Sequence, residues 1–179
     1  MKASKIFFLV VGLFTASSVF IWQFREHITI NVTPSMPLGF YWLENDPVRV
    51  GDNVLVCPPR AIAEMASHRH YLPKGDCPGG SVPVLKRVVA IEGDHVTIDS
   101  RGIFVNGIEI EHTQPKSEDS LGQKLPSIEL STTLKSNQYL IASHDDPRGF
   151  DSRYFGVIEF QRLKRVSPLW TWDVDRDQE

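Results

Sequence analysis

The sequence predicts a mainly β, antiparallel fold that follows one N-terminal hydrophobic helix. Three observations carry this. Residues 6–24 contain no charged side chain, and about 19 residues at about 1.5 Å each span roughly 28 Å, close to the hydrocarbon thickness of a bilayer. Beyond residue 27, short apolar runs alternate with turn signals, and the 12 prolines and 12 glycines are spread along the chain, a pattern of many short strands. Asn106-Gly107 between Ile103-Phe104-Val105 and Ile108-Glu109-Ile110 is the strongest short-range hairpin signal.

The 179 residues divide into an N-terminal segment at 1–26, a β domain at 27–172 and a solvated acidic tail at 173–179. The formal net charge of -3 leaves no overall basic field for nucleic acid. Lys2 and Lys5 precede the apolar run, which only Thr15, Ser17, Ser18 and Gln23 interrupt. The run reads as a retained anchor with the lysines on the cytoplasmic side, or as a cleaved signal with Ala16 and Ser18 before the cut. Val19-Phe20-Ile21-Trp22 carries the apolar run past that point and favours the anchor. Either way residues 27 onward are exported. A buried core helix fits poorly, because the run has no polar face.

In order, Ile28–Val32 reads as a first strand and Gly39-Phe40-Tyr41-Trp42-Leu43 as a second. Val48-Arg49-Val50, a bend at Gly51-Asp52, and Val54-Leu55-Val56 read as strand, bend, strand. Residues 58–81 form an excursion with a short helix over Ala61–Ala66 and a Pro/Gly loop. In an exported domain its two flanking cysteines, Cys57 and Cys77, read as one disulfide. That bridge closes a loop of about 20 residues and contributes roughly 3 kcal/mol in the chain-entropy account. The rival is a metal site adding His68 and His70, but the spacing matches no common zinc pattern.

Ser81–Ile91 is the best strand. Period-2 geometry puts Val82, Val84, Lys86, Val88 and Ala90 on one face, so Lys86 is the one charge on an apolar surface, and Arg87 points the other way. Desolvation there lowers a lysine's pKa and prepares a neutral amine, a competent general base. A meander follows: His95–Ile98, Ile103–Val105 and Ile108–Ile110. Residues 112–137 read as a long loop, Gln138–Ser143 as a strand, and residues 144–156 as a turn-rich polar stretch. Leu163–Val166, Trp170 and Trp172 close the domain. His27, His95 and His112 read as surface or edge residues. A Ser/His/Asp triad on His144 with Asp145 or Asp146 is the alternative chemistry, but Ser35 lacks a nucleophile-elbow context.

Ser35 lies in Thr33-Pro34-Ser35-Met36-Pro37. Pro34 fixes its own φ and Pro37 keeps Met36 out of the helical region, so the backbone is stiff around a candidate nucleophile. A Ser/Lys pair does the work of Ser/His when the lysine is held neutral.

Three blocks, in this order, resemble the signatures of bacterial type I signal peptidases: Thr33-Pro34-Ser35-Met36-Pro37, residues 85–94 (Leu85-Lys86-Arg87-Val88-Val89-Ala90-Ile91-Glu92-Gly93-Asp94) and Asp151-Ser152-Arg153-Tyr154-Phe155-Gly156. The short length, Gly39-Phe40-Tyr41 and the Cys57/Cys77 excursion are most similar to the TraF branch, conjugative-transfer peptidases that process, and in some systems cyclise, pilin. The resemblance implies antiparallel sheets of the signal peptidase type with long loops. It implies Ser35 as nucleophile, Lys86 as general base, and Asp151 and Arg153 as support. Thr33 falls where the family places a hydroxyl that joins the Ser35 N–H in holding the oxyanion. His144-Asp145-Asp146-Pro147-Arg148 replaces the family's Gly-Asp-Asn pattern and leaves Asp145 and Asp146 without a role.

These readings together predict a periplasmic serine endopeptidase at the outer face of the inner membrane, using no cofactor and no metal. It would act on a pilin precursor or another exported pre-protein with small residues before the scissile bond. Further partners would be conjugation or type IV secretion components. One rival is a non-catalytic assembly or binding module that keeps the fold. Another is a self-cleaving repressor, which would need a DNA-binding helix pair where this chain has an apolar segment.

Overall fold

The computed structural model describes residues 2–33, 35–143 and 146–172. The N-terminal run is a continuous helix, α1 (Lys2–Phe24). It is apolar and long enough to cross a membrane, with no buried face. A single 3-10 turn, Arg25–His27, leads into β1 (Ile28–Asn31). Trp42 fastens this junction, lying 5.9 Å from the Phe24 ring and stacked 5.2 Å from His27.

Among the described residues, eleven strands form two antiparallel sheets. The larger joins β1, β2 (Leu38–Glu44), β3 (Asn53–Val56), β4 (Val84–Ala90), β9 (Gln138–Ala142), β10 (Ile158–Glu159) and β11 (Leu163–Trp172) in the order β1-β2-β11-β3-β4-β9-β10. The smaller holds β5 (His95–Asp99), β6 (Gly102–Val105), β7 (Ile108–Ile110) and β8 (Leu130–Thr133) in the order β7-β6-β5-β8. Asn106-Gly107 makes the β6–β7 turn as expected, with Val105 paired to Ile108.

Alternation fixes the faces. On β2, Gly39 and Tyr41 are buried while Leu38, Phe40 and Trp42 are half-buried. Gly39 allows a close approach, because a Cβ there would lie 2.2 Å from the Trp170 carbonyl oxygen of β11. The β2–β11 register slips between Pro168 and Trp170, where Pro168 has no N–H for the ladder.

Three apolar clusters fill the interior. Val54, Val56, Val84, Val88, Ile141, Tyr154, Phe155 and Ile158 pack in the first, together with Ala66 of α2 (Arg60–His68). Val89, Ala90, Leu140 and Ala142 of the large sheet meet Val96, Ile98 and Ile103 of the small one in the second. The third is Met36, Tyr41, Leu85 and Val166. Cys57 and Cys77 are joined by a disulfide at the base of the excursion carrying α2. They are therefore no thiolate pair for a metal, and His68 and His70 are exposed. His27, His95 and His112 are exposed as well.

The structure corrects four expectations. Val48-Arg49-Val50 is no strand: the Arg49 N–H donates to Asp52 Oδ2 (2.8 Å) and the Asp52 N–H to the Arg49 carbonyl (3.1 Å), closing a turn that leaves Val50 exposed. The loop at 112–137 contains β8, whose Leu-Ser-Thr-Thr run lacks apolar alternation and pairs along β5 at the sheet edge. The Lys86 face ends at Val88. A register shift before Ala90 turns that residue into the second cluster, beside Val89. The polar stretch ending at Gly156 contains a short helix, α3 (Ser152–Phe155), and all four of its residues are buried.

Candidate active site

Ser35 sits at the tip of the β1–β2 hairpin, whose last pair is Asn31 with Gly39. Met36 beside it is buried in the third cluster against Tyr41 and Leu85, and the Tyr41 hydroxyl donates to the Pro37 carbonyl at 2.7 Å. The loop is thus plugged by an apolar side chain on one side of the half-buried serine.

Lys86 lies mid-strand on β4, between Val54 of β3 and the end of β9. It is 3% exposed. Its Nζ is 2.6 Å from Ser35 Oγ. As an ammonium it donates to that oxygen; as a neutral amine it accepts the hydroxyl proton. Burial pulls the amine down to about 8, against an upward pull from Asp151 and Asp146, while Arg153 acts with burial.

Asp151 and Arg153 are fully buried. Asp151 caps α3 by accepting from the Arg153 N–H (3.1 Å) and holds the Arg153 guanidinium two-handed, Nε to Oδ1 and Nη2 to Oδ2, each at 2.9 Å. Its Oδ2 also accepts from the Ser143 N–H (2.8 Å), which ties α3 to the end of β9. Arg153 Nη1 donates to the Pro147 carbonyl (3.0 Å). Gly149 lies so close that a Cβ would stand 2.5 Å from the Ser143 Cβ and 3.0 Å from Asp151 Oδ2. The fully buried Ser143 hydroxyl has no hydrogen-bond partner among the described residues.

The structure brings Ser35 and Lys86 into contact and sets Asp151 and Arg153 within electrostatic reach of the amine. The Thr33 hydroxyl, expected near the oxyanion, donates its proton to Asn31 Oδ1 at 2.8 Å. Pro34, His144 and Asp145 lie outside the described residues, and with them the alternative triad and half of the expected proline stiffening. Two residues are new to the site. Asp146 is buried and biases Lys86, and Asn31 fastens the serine loop. Asp146 works through contacts the fold creates, while Asn31 bonds within six residues of itself, and the Asx-type pairing with the Thr33 N–H is its local signal.

A cleft of about 540 Å³ opens between Ile28, Leu43, Leu55, Pro83 and Leu163. Leu43 and Leu55 of its wall also pack against the cluster holding Met36. Its lining is mostly apolar, so it suits small or apolar side chains.

The family described as "Signal peptidase, peptidase S26" matches residues 1–170 of this chain. A plasmid transfer protein TraF of Escherichia coli is 37% identical over 80% of this chain and 82% of its own length. The conjugal transfer protein TraF of Agrobacterium fabrum is 34% identical over 96% of this chain and 98% of its own. A signal peptidase I of Enterococcus faecalis V583 covers 69% of this chain and 99% of its own at a TM-score of 0.39 and 16% identity, too loose a match to carry an argument.

Proposed function

Because the chain belongs to the signal peptidase family, peptidase S26, and has TraF transfer proteins among its relatives, we propose that it is a serine endopeptidase of a conjugative-transfer machine. Its substrate is an exported precursor, a pilin precursor in the first instance. The observation that carries the reading is the 2.6 Å approach of Lys86 Nζ to Ser35 Oγ with the lysine buried. A surface lysine stays charged and hydrated; one forced into an apolar interior beside a hydroxyl becomes a base.

In this mechanism the neutral Lys86 amine takes the Ser35 proton as Oγ attacks the scissile carbonyl. The Ser35 N–H holds the oxyanion, joined by the Thr33 hydroxyl once that group leaves Asn31. The Lys86 ammonium then returns the proton to the departing amine as the C–N bond breaks, leaving an acyl-enzyme. Water resolves it to a shortened chain, or a peptide amine resolves it to a cyclic one. Asp151 and Arg153, locked to each other, keep the floor under Lys86 in place. The cleft beside Leu43 and Leu55 receives the small residues before the cut. α1 holds the domain at the outer face of the inner membrane, with the active site in the periplasm, where other components of the transfer machine assemble.

The test is mass spectrometry of the precursor made with the wild-type chain, Ser35→Ala or Lys86→Ala. Processing by the wild type alone is expected, and a product lighter by one water than the linear form identifies cyclisation. Normal processing by either variant removes the peptidase reading and leaves an assembly module.

A further inference from the structure

Ser35 occupies a hairpin tip, the kind of position that is ordinarily the most mobile part of a sheet. Prolines at 34 and 37 remove two backbone donors from this tip. Its carbonyls therefore need partners from elsewhere. Asn31 supplies most of them, with the Tyr41 hydroxyl as a second donor to the Pro37 carbonyl. Asn31 Nδ2 points at the carbonyl oxygens of Thr33 (3.0 Å), Met36 (3.1 Å) and Pro37 (3.0 Å). Two N–H groups serve three acceptors, so one is shared. Asn31 Oδ1 accepts from the Thr33 N–H (3.2 Å) and the Thr33 hydroxyl (2.8 Å). A backbone N–H can only donate, which fixes which end of the amide faces it. The residue is 7% exposed and stands on β1, the last paired position before the tip.

We propose that Asn31 is the positioning residue of the nucleophile: a single amide that bridges both arms of the loop and holds Ser35 Oγ at Lys86 Nζ. The inference rests on the peptidase reading given above. Asn31 touches neither the substrate nor the reacting atoms; it acts through the backbone on both sides of Ser35. Its donor half is the essential half. Aspartate in its place keeps the acceptor for Thr33 and turns a second oxygen toward the three carbonyls. Because Asn31 also holds the Thr33 hydroxyl, it sets when that group is free to turn toward an oxyanion.

The experiment uses the full-length chain and a precursor it processes. It compares Asn31→Asp, Asn31→Ala and Asn31→Ser with wild type in kcat, KM, pH–rate midpoint and Tm. A misplaced nucleophile predicts kcat lower by about 10- to 100-fold, with KM within about twofold, an unmoved midpoint (the Lys86 surroundings being intact) and Tm nearly retained. Full kcat in Asn31→Asp, or a loss confined to KM, overturns the proposal. So does activity that merely tracks Tm across the three variants, down to chains that do not fold, since that is the mark of a structural residue. These outcomes are separable from failure of the peptidase reading, which shows as a wild type that cleaves nothing or a Ser35→Ala chain that cleaves normally.

Discussion

The small sheet buries Val96, Ile98 and Ile103 and keeps its described charged residues at the surface or half-buried, while the large sheet carries Lys86 in the middle of a strand and sets Asp151, Arg153 and Asp146 near it. The first is what hydrophobic patterning alone produces: alternation, tight turns and a dry interface. The second breaks that rule at one place. Burying the amine is unfavourable, and the fold offsets it in part with the nearby Asp151 and Asp146 carboxylates, Asp151 being interlocked with Arg153. A patterning rule broken at one place and compensated there is what the proposed peptidase reading expects of its site.

The sharpest way to break this contrast is Arg153→Ala. It leaves Asp151 fully buried beside Lys86 without its partner, and a loss of about 3–5 kcal/mol in urea unfolding is expected, together with loss of processing. A loss below about 1 kcal/mol would put both sheets under the same rule. Ile98→Ala comes next. Removing that 1% exposed side chain should cost about 2–5 kcal/mol, yet kcat per folded molecule should hold, because the small sheet supplies packing only. The gentlest probe is pH. Lys86 sits at about 8, and only the neutral amine accepts a proton. The rate should therefore fall about tenfold per unit below that midpoint and level off above it, about 1.4 kcal/mol per unit. A rate flat from about pH 6 to pH 10 would remove Lys86 as the base.

Much of the small sheet is legible in the sequence, because Asn106-Gly107 and the flanking Ile/Val runs state hairpin and faces together. Lys86 is legible for the opposite reason, as the one charge on an apolar face of its strand. β8 is not: Ser131-Thr132-Thr133 has no apolar alternation, and only its partner β5 makes it a strand. The turn at Val48–Val50 hides because β-branched residues mask the Asp52 side chain that closes it. Asn31 and Asp146 hide for a deeper reason. Asp146 acts on Lys86 at a distance set by the fold, and Asn31, although its bonds are local, meets its three carbonyls only when the hairpin closes. The Asp151-to-Arg153 interlock is local in sequence, yet its complete burial comes from packing over β9.

The strand order has a consequence in time. Ser35 belongs to the β1–β2 pair and Lys86 to the β3–β4 pair, and β11, the most C-terminal described strand, lies between β2 and β3. Before residues 163–172 are synthesised, Ser35 and Lys86 both exist but the ladder joining their halves does not. The strand pairs that carry Ser35 and Lys86 are joined within the sheet through residues 163–172, so their juxtaposition draws on the most C-terminal described strand.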